Sequence, residues 1–487
     1  MMATKKTVVL YPGFGVGHLT PMLELAKSIL RHGGGAALAV AVALAEPPAT
    51  YAAGFHAAVA RAQAANPSVS FHVLPAPAAG ELREEEEPLV TILRFLRDTT
   101  APLRDFLRSR RPPAAALVLD MFCADALGVA AELALPAYFL FPSGAAGLAV
   151  FLALPAARAA VGAGGFGSLG ADAVLTFHGA PPLRVSELSQ GLADDGESCR
   201  AMLRVAARIP EGARGILVNS FEKLEPRAME ALRDGRCLPD RPTPPVYCVG
   251  PLVSPGGAAA AADRHECLRW MDAQPDRSVV FLCFGSLGAF PKHQLAEIAA
   301  GLESSGQRFL WVVRSPHPPA AVAGEESDES LDELLPAGFL EKTKDRGLVV
   351  NSWAPQVDVL RHRAAAAFVT HCGWNSTLEG VAAGVPLLCW PLYAEQKMNK
   401  VRIVEDMRLG VGMEMDGEGF VTAEEVEKKV RWVMEGDDGE VRELRERVAK
   451  AKELAAEAVE EGGPSDLAFV EFLKDLLEAS HQGVVHA

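Results

Sequence analysis

No two of the chain's eight cysteines stand in a C-x-x-C spacing. Cys123, Cys199, Cys237, Cys248, Cys267, Cys283, Cys372 and Cys389 are scattered over 487 residues. That spacing excludes the usual zinc patterns, and the density is too low for a disulfide scaffold. A reducing, cytoplasmic setting is expected. Long apolar runs are also missing. The longest apolar region, Leu133–Ala157, is broken by Pro136, Pro142, Gly144 and Pro155, whereas a bilayer span needs about 20 residues. Positive charge is not in excess. The net charge of −15 excludes a general binder of nucleic acid or anionic membrane. No charged segment followed by an apolar stretch and a cleavage site precedes the first strand-like run, so no export signal is expected. Repeats of solenoid period are absent. The glycine loop Gly13-x-Gly15-x-Gly17 lacks the spacing of a dinucleotide-binding G-x-G-x-x-G, and Glu46 lies too far along to be its ribose-binding acid.

What is present fills two domains. A chain of 487 residues, 49% hydrophobic, exceeds one ordinary core. The first half alternates apolar strand-like runs (Thr7–Tyr11, Ala36–Leu44, Ala114–Leu119, Ala137–Phe141) with helical patterns (Leu19–Arg31, Ala124–Leu133). Such alternation means a parallel sheet covered by helices on both faces. A second series begins after a proline cluster: Val279–Phe284, His293–Leu302, Arg308–Val313, Leu348–Trp353, Ala366–His371 and Pro386–Leu392. The expected division is an N-terminal domain over 1–245, a linker over 246–262, a C-terminal domain over 263–462, and a helix over 463–487 returning to the N-terminal domain. Glu84–Glu87 and Ser315–Leu335 read as surface loops. In doubly wound sheets ligands sit at the carboxyl ends of strands, so the chemistry is sought in loops that follow strands.

The richest stretch runs from Trp353-Ala354-Pro355-Gln356 through Thr370-His371-Cys372-Gly373-Trp374-Asn375-Ser376-Thr377-Leu378-Glu379 to Trp390-Pro391-Leu392-Tyr393-Ala394-Glu395-Gln396. Gly373 breaks a buried strand. A helix is expected from Ser376, with Asn375 and Ser376 as N-caps and Gly384 as its stop. A helix N-terminus beside a glycine and a histidine is a ready diphosphate site. Ser376-x-x-Glu379 is equally the pattern of a capping box. Trp353, Trp374 and His371 taken singly also fit an ordinary core.

Together these residues resemble the signature box of plant family 1 UDP-dependent glycosyltransferases, the flavonoid and phenolic glucosyltransferases. The box runs 44 residues, and Trp353–Gln396 fills it without a gap. The resemblance implies an α/β fold with two Rossmann-like doubly wound domains facing a cleft (GT-B type). It implies transfer of glucose from UDP-glucose to a hydroxyl of a small apolar phenolic acceptor, with inversion. In the roles it implies, Trp353 stacks on uracil, Ala354 and Gln356 bind base and ribose, and Glu379 accepts from the ribose hydroxyls. His371, Gly373, Asn375 and Ser376 hold the phosphates, joined by Ser286 of Phe284-Gly285-Ser286, which otherwise reads as a strand-ending turn. Trp374, Glu395, Gln396 and Ser143 take the sugar. At Ser143 the preceding residue is Pro142, where the family often has threonine. UDP-sugar is a co-substrate; no cofactor and no metal are expected, nor is there an Asp-x-Asp of the kind metal-dependent sugar transferases use. A monomer is expected.

For the acceptor, His18 follows the first strand and just precedes a helix. A hydroxyl is a poor nucleophile until a base begins to take its proton, which histidine does near neutral pH. A carboxylate on the other ring nitrogen orients the ring and supports its charged form. Asp120 ends a buried strand and resembles the family's partner position; Asp125 is its rival. Phe14, Gly17, Phe122 and Tyr393 are candidate acceptor-lining residues. C- or N-glycosyl transfer on the same scaffold is the near alternative, a nicotinamide-dependent oxidoreductase the distant one.

Overall fold

The computed structural model describes residues 5–33, 38–47, 49–77, 87–162, 164–189, 191–257, 264–315, 330–437 and 439–485. Most of the two expected loops, at 84–86 and 316–329, lies outside these residues, as does 258–262 of the expected linker. The chain divides into two compact units, one formed by residues 1–252 with 457–487, the other by most of 253–456.

The first unit holds a seven-stranded sheet. Its strands are β1 (Lys6–Tyr11), β2 (Leu38–Ala45), β3 (Val69–Leu74), β4 (Ala114–Asp120) and β5 (Ala137–Phe141), then, after a small hairpin of β6 (Val174–Leu175) and β7 (Leu183–Arg184), β8 (Gly215–Val218) and β9 (Val246–Cys248). The order is β3-β2-β1-β4-β5-β8-β9, with every pairing parallel. The sheet reverses direction of winding between β1 and β4, where Tyr11 pairs with Leu119. β9 belongs to this sheet, so the first residues expected as linker form its edge strand instead. The run Val246–Cys248 is only three residues long, too short for periodicity to reveal.

The second unit holds β10 (Val279–Cys283), β11 (Arg308–Val313), β12 (Gly347–Asn351), β13 (Ala365–Thr370), β14 (Leu387–Cys389) and β15 (Gly410–Gly412). Their order, β12-β11-β10-β13-β14-β15, is that of a doubly wound nucleotide-binding sheet, with its switch point between β10 and β13. Both faces are covered. Val280 and Leu282 enter one apolar cluster, while Val279, Phe281 and Cys283 enter another. Alternate residues point to opposite faces, which is why the strand reads as a continuous apolar run rather than an alternating one.

The helix Pro464–Val485 packs on the first unit. Phe469, Phe472, Leu473 and Leu476 join the core beneath the first sheet. Polar ties fix its register: Ser465 Oγ donates to the Gly250 carbonyl at 2.6 Å, His32 Nε2 meets Asp466 at 2.6 Å, and Asp475 accepts from Tyr138 at 2.5 Å and from Arg214 at 2.7 and 2.9 Å. Among the described residues no helix is long and apolar enough to cross a membrane.

Candidate active site

Each unit gathers its candidate residues at its own switch point, where strand order leaves a crevice at the carboxyl ends. In the first unit, the first turn of the helix after β1 carries His18 and the end of β4 carries Asp120. His18 Nδ1 lies 2.8 Å from Asp120 Oδ2. Asp120 is fully buried, whereas the His18 side chain remains 21% exposed. The second carboxylate oxygen, Oδ1, accepts from the Phe122 amide at 2.9 Å. The carboxylate is thus gripped on both sides. Asp125 is excluded as the partner: it is exposed and paired with Arg208 at 2.5 Å.

His18 does not precede the helix but lies within it. The helix runs Val16–His32 and opens on Gly15 at φ 100, a conformation that glycine supplies without steric cost. Gly13, outside any dinucleotide motif, answers to the His18–Asp120 pair. A Cβ there would stand 2.5 Å from Asp120 Oδ1 and 3.3 Å from His18 Cγ. It is glycine because the His18–Asp120 pair occupies its side-chain space. Phe122 packs against the His18 ring at 4.9 Å, and Phe14 packs edge-on against Phe95 at 6.1 Å. Gly17 is exposed beside them. Tyr393 belongs to the other unit, its ring 6.2 Å from that of His371. Ser143 is buried in the first unit, before the helix Ala145–Val161. The opening amides of that helix, at Ala145 and Ala146, are bound by the buried Glu225 carboxylate at 2.8 and 3.0 Å, so its N-terminus is filled from within.

The helix that follows β13 contrasts with it. It runs Trp374–Ala383 with Gly373 as N-cap and no side-chain cap, and it ends on the left-handed Gly384. The expected start at Ser376 is therefore two residues late, and neither Asn375 nor Ser376 caps it. The capping box does not form either. Gln356 Nε2 instead donates to Ser376 Oγ at 2.8 Å and to Glu379 Oε2 at 2.6 Å, drawing Gln356, Ser376 and Glu379 into one polar cluster. Burial pushes the Glu379 carboxyl up to about 7.

Beside this cluster His371 is buried, with Nδ1 lacking a partner. Burial pushes its imidazole down to about 4, so at neutral pH the ring is uncharged. It touches two loops at once: a Cβ on either Gly285 or Gly373 would approach its Nε2 to 2.5 Å. The loop after β10 and the loop after β13 therefore close on one imidazole. Ser286, exposed, sits at the tip of the first of these. Arg314, which drew no attention in the sequence, donates from Nε to the Gly285 carbonyl at 3.0 Å.

Backbone strain marks the same places. Non-glycine residues rarely take positive φ, and those that do gather at functional sites. Among the described residues six do so, and three of them, Ser352 (φ 61), Cys372 (φ 65) and Ala394 (φ 51), directly precede Trp353, Gly373 and Glu395. Trp353 projects with 60% of its surface exposed, its ring edge-on to His265 at 5.5 Å. Ala354 is buried behind it, and Trp374 is also buried. Gln396 is buried too, and its Oε1 accepts from the Leu392 and Tyr393 amides at 2.8 and 2.9 Å. That carbonyl is thus committed to its own loop.

A family profile described as UDP-glucoronosyl and UDP-glucosyl transferase matches residues 245–441. The chain is 42% identical, over 94% of its length and 96% of the other's, to an anthocyanidin 5,3-O-glucosyltransferase of Rosa hybrid cultivar. This chain belongs to that transferase family. A phloretin 2'-O-glucosyltransferase of Pyrus communis matches the glycosyltransferase at 42% identity over 96% of this chain and 99% of its own. Among solved structures, Phytolacca americana UGT2 complexed with UDP-2fluoro-glucose and pterostilbene aligns with a TM-score of 0.84 at 34% identity, covering 97% of this chain and 99% of that one. The fold is accordingly of the GT-B type, with two Rossmann-like α/β units. The Rossmann strand order here serves a UDP-sugar transferase, not a nicotinamide enzyme. Among the described residues no group of three or more His, Cys, Asp or Glu side chains could hold a metal ion.

Proposed function

We propose that this glycosyltransferase moves glucose from UDP-glucose to a hydroxyl of a flavonoid or related phenolic, with inversion at the anomeric carbon. The observation that carries the reading is the gapless box Trp353–Gln396, whose loops follow β12, β13 and β14. Relatives named for anthocyanidin and phloretin support the acceptor class. Trp353 would stack on uracil, with Ala354 and Gln356 against base and ribose and Glu379 accepting from the ribose hydroxyls. Gly373, Asn375, Ser376, Ser286 and the neutral His371 would bind the diphosphate. Trp374, Glu395 and Gln396 would address the sugar.

The chemistry follows from His18. Its Nδ1–H donates to Asp120, leaving Nε2 as the base. Nε2 takes the acceptor's hydroxyl proton as that oxygen bonds to the anomeric carbon. The bond from that carbon to the diphosphate oxygen breaks, and UDP leaves with the electron pair. The Asp120 carboxylate stabilises the imidazolium that results, and fixed N–H donors stabilise the departing diphosphate. The deciding experiment is turnover of UDP-glucose with a panel of phenolics, reading product mass and UDP release together. A product heavier by one hexose with equimolar UDP is expected; binding of UDP-glucose with no turnover across the panel would refute the acceptor class. EDTA is expected to leave the rate unchanged, and a loss restored by magnesium would refute a metal-free mechanism.

Two further results are expected from the nucleotide site. Replacing Trp353 with alanine should weaken UDP binding roughly 5- to 150-fold, since stacking on a base is worth about 1–3 kcal/mol. The melting midpoint should barely move, because the side chain is largely exposed; a fall in stability with unchanged affinity would make Trp353 a core residue. The second result concerns pH. Glu379 ionises near 7 when unliganded, and ribose hydroxyls that donate to it favour the carboxylate. Affinity for UDP should therefore rise about tenfold from pH 6 to pH 8. The terminal phosphate of UDP itself titrates near 6, so the effect is read as the difference between wild type and Glu379→Gln. Identical slopes would remove Glu379 from the ribose. For stability the sign is opposite: the raised pKa favours the folded state fully below about 4.5 and is lost as pH rises through about 7.

A further inference from the structure

Beneath the proposed sugar-facing loops lies a buried polar pair outside the 44-residue box. Asn399, fully buried, and Arg402, 3% exposed, stand three residues apart, one within the helix Gln396–Val401 and one in the π-turn that continues it. That spacing puts them on one face. Asn399 Nδ2 donates to the Cys372 carbonyl at 2.9 Å and reaches Glu395 Oε1 at 3.4 Å. One amide thus ties the loop after β13 to the loop after β14. The carbonyl it holds belongs to a left-handed residue, a conformation that persists only where its surroundings dictate it. The Arg402 guanidinium lies 4.8 Å from the centre of the Trp374 ring. A planar cation held against an indole away from water is strongly attracted to it, and it fixes the plane of that ring.

We infer that Asn399 and Arg402 are positioning residues for the donor hexose: Asn399 sets the Glu395 carboxylate and Arg402 the Trp374 indole, and together they decide which sugar the site accepts. The inference rests on the reading that Trp374 and Glu395 face the sugar. A hexose is recognised by the directions of its hydroxyls. An aromatic N–H and a carboxylate discriminate between epimers only when neither can rotate to follow the wrong one. Neither Asn399 nor Arg402 lies in the Trp353, Gln356 and Glu379 cluster assigned to the nucleoside. Arg402 is held against Trp374, so its loss should be felt on the sugar and not on UDP. Asn399 also holds the Cys372 carbonyl between His371 and Gly373, so its loss should reach the diphosphate too but be felt more on the sugar. Lysine in place of Arg402 keeps the charge but loses the planar stack, so it should recover only part of the effect.

The test measures three quantities on the full-length enzyme: Kd for UDP, KM for UDP-glucose, and the ratio of kcat/KM for UDP-glucose to that for its 4-epimer, UDP-galactose. Asn399→Ala and Arg402→Met are each expected to raise the UDP-glucose KM and lower the ratio by ~10-fold, about 1.4 kcal/mol, with the UDP affinity of Arg402→Met held to within about threefold (about 0.65 kcal/mol) and Asn399→Ala losing less affinity for UDP than for UDP-glucose. Arg402→Lys, the mildest change and the one that keeps the fold measurable if the others fail to fold, is expected midway. An unchanged ratio, or an equal loss for UDP and UDP-glucose, would overturn the inference. Trp374→Phe and Glu395→Gln run in parallel separate the two levels. If they too leave the ratio unchanged, the sugar reading itself fails and takes the inference with it. If they lower it while the Asn399 and Arg402 variants do not, the inference alone fails.

Discussion

The turnover of His18→Ala should fall roughly 10³- to 10⁴-fold, with UDP affinity unchanged. General-base catalysis by a positioned side chain contributes about 10²–10⁴. The variant also leaves the buried Asp120 carboxylate with only the Phe122 amide. Losing one partner of a buried hydrogen-bonded charge costs about 1–3 kcal/mol, so the melting midpoint should drop as well. His18→Asn separates the two effects. Its amide nitrogen reproduces the Nδ1 edge that meets Asp120, but nothing takes the place of Nε2. Stability should return while turnover stays lost. Activity within tenfold of wild type in either variant would refute His18 as the base.

Asp120→Asn should lower kcat by roughly 10²- to 10⁴-fold although it changes no shape. The reason lies in the second hydrogen bond. Oδ1 of Asp120 accepts from the Phe122 amide, so the asparagine carbonyl is pinned there and its NH2 must face His18 Nδ1. That nitrogen must then accept, which moves the ring proton to Nε2, and the base is lost. Donor binding, set in the other unit, should not respond. A shift of the ring tautomer read by nitrogen NMR, together with the loss of rate, is the expected signature. An unaltered rate would mean that the carboxylate only packs.

Much of the candidate site's layout was legible in advance. Asp120 stands out because it ends a strongly apolar run, His18 because it follows one across a glycine loop, and the box Trp353–Gln396 because it resembles a family signature; buried strands announce themselves through composition. Short strands did not. Gly410–Gly412 and Val246–Cys248 are three residues each and were missed, and the helix at His18 begins earlier than its apolar pattern because Gly15 bends the chain into it. The glycine loop was rightly set apart from the dinucleotide motif, but its reason stayed hidden: Gly13 answers to a carboxylate more than a hundred residues away in sequence, which no local motif records.

The sequence by itself determined the two-sheet α/β class, the family and the donor box, since these rest on periodicity and on residue identities at fixed spacing. Tertiary structure decided which residues meet. Pairing of β1 with β4 and of β10 with β13 puts His18 beside Asp120 and wraps the loops of Gly285 and Gly373 around His371. It also gave Asp125 to Arg208, turned Ser376 and Glu379 from a helix cap toward Gln356, and set Asn399 and Arg402 beneath the sugar loops. Periodicity records which side of an element is apolar. It carries no information about which strand becomes a neighbour, because that choice is made by long-range packing of whole faces.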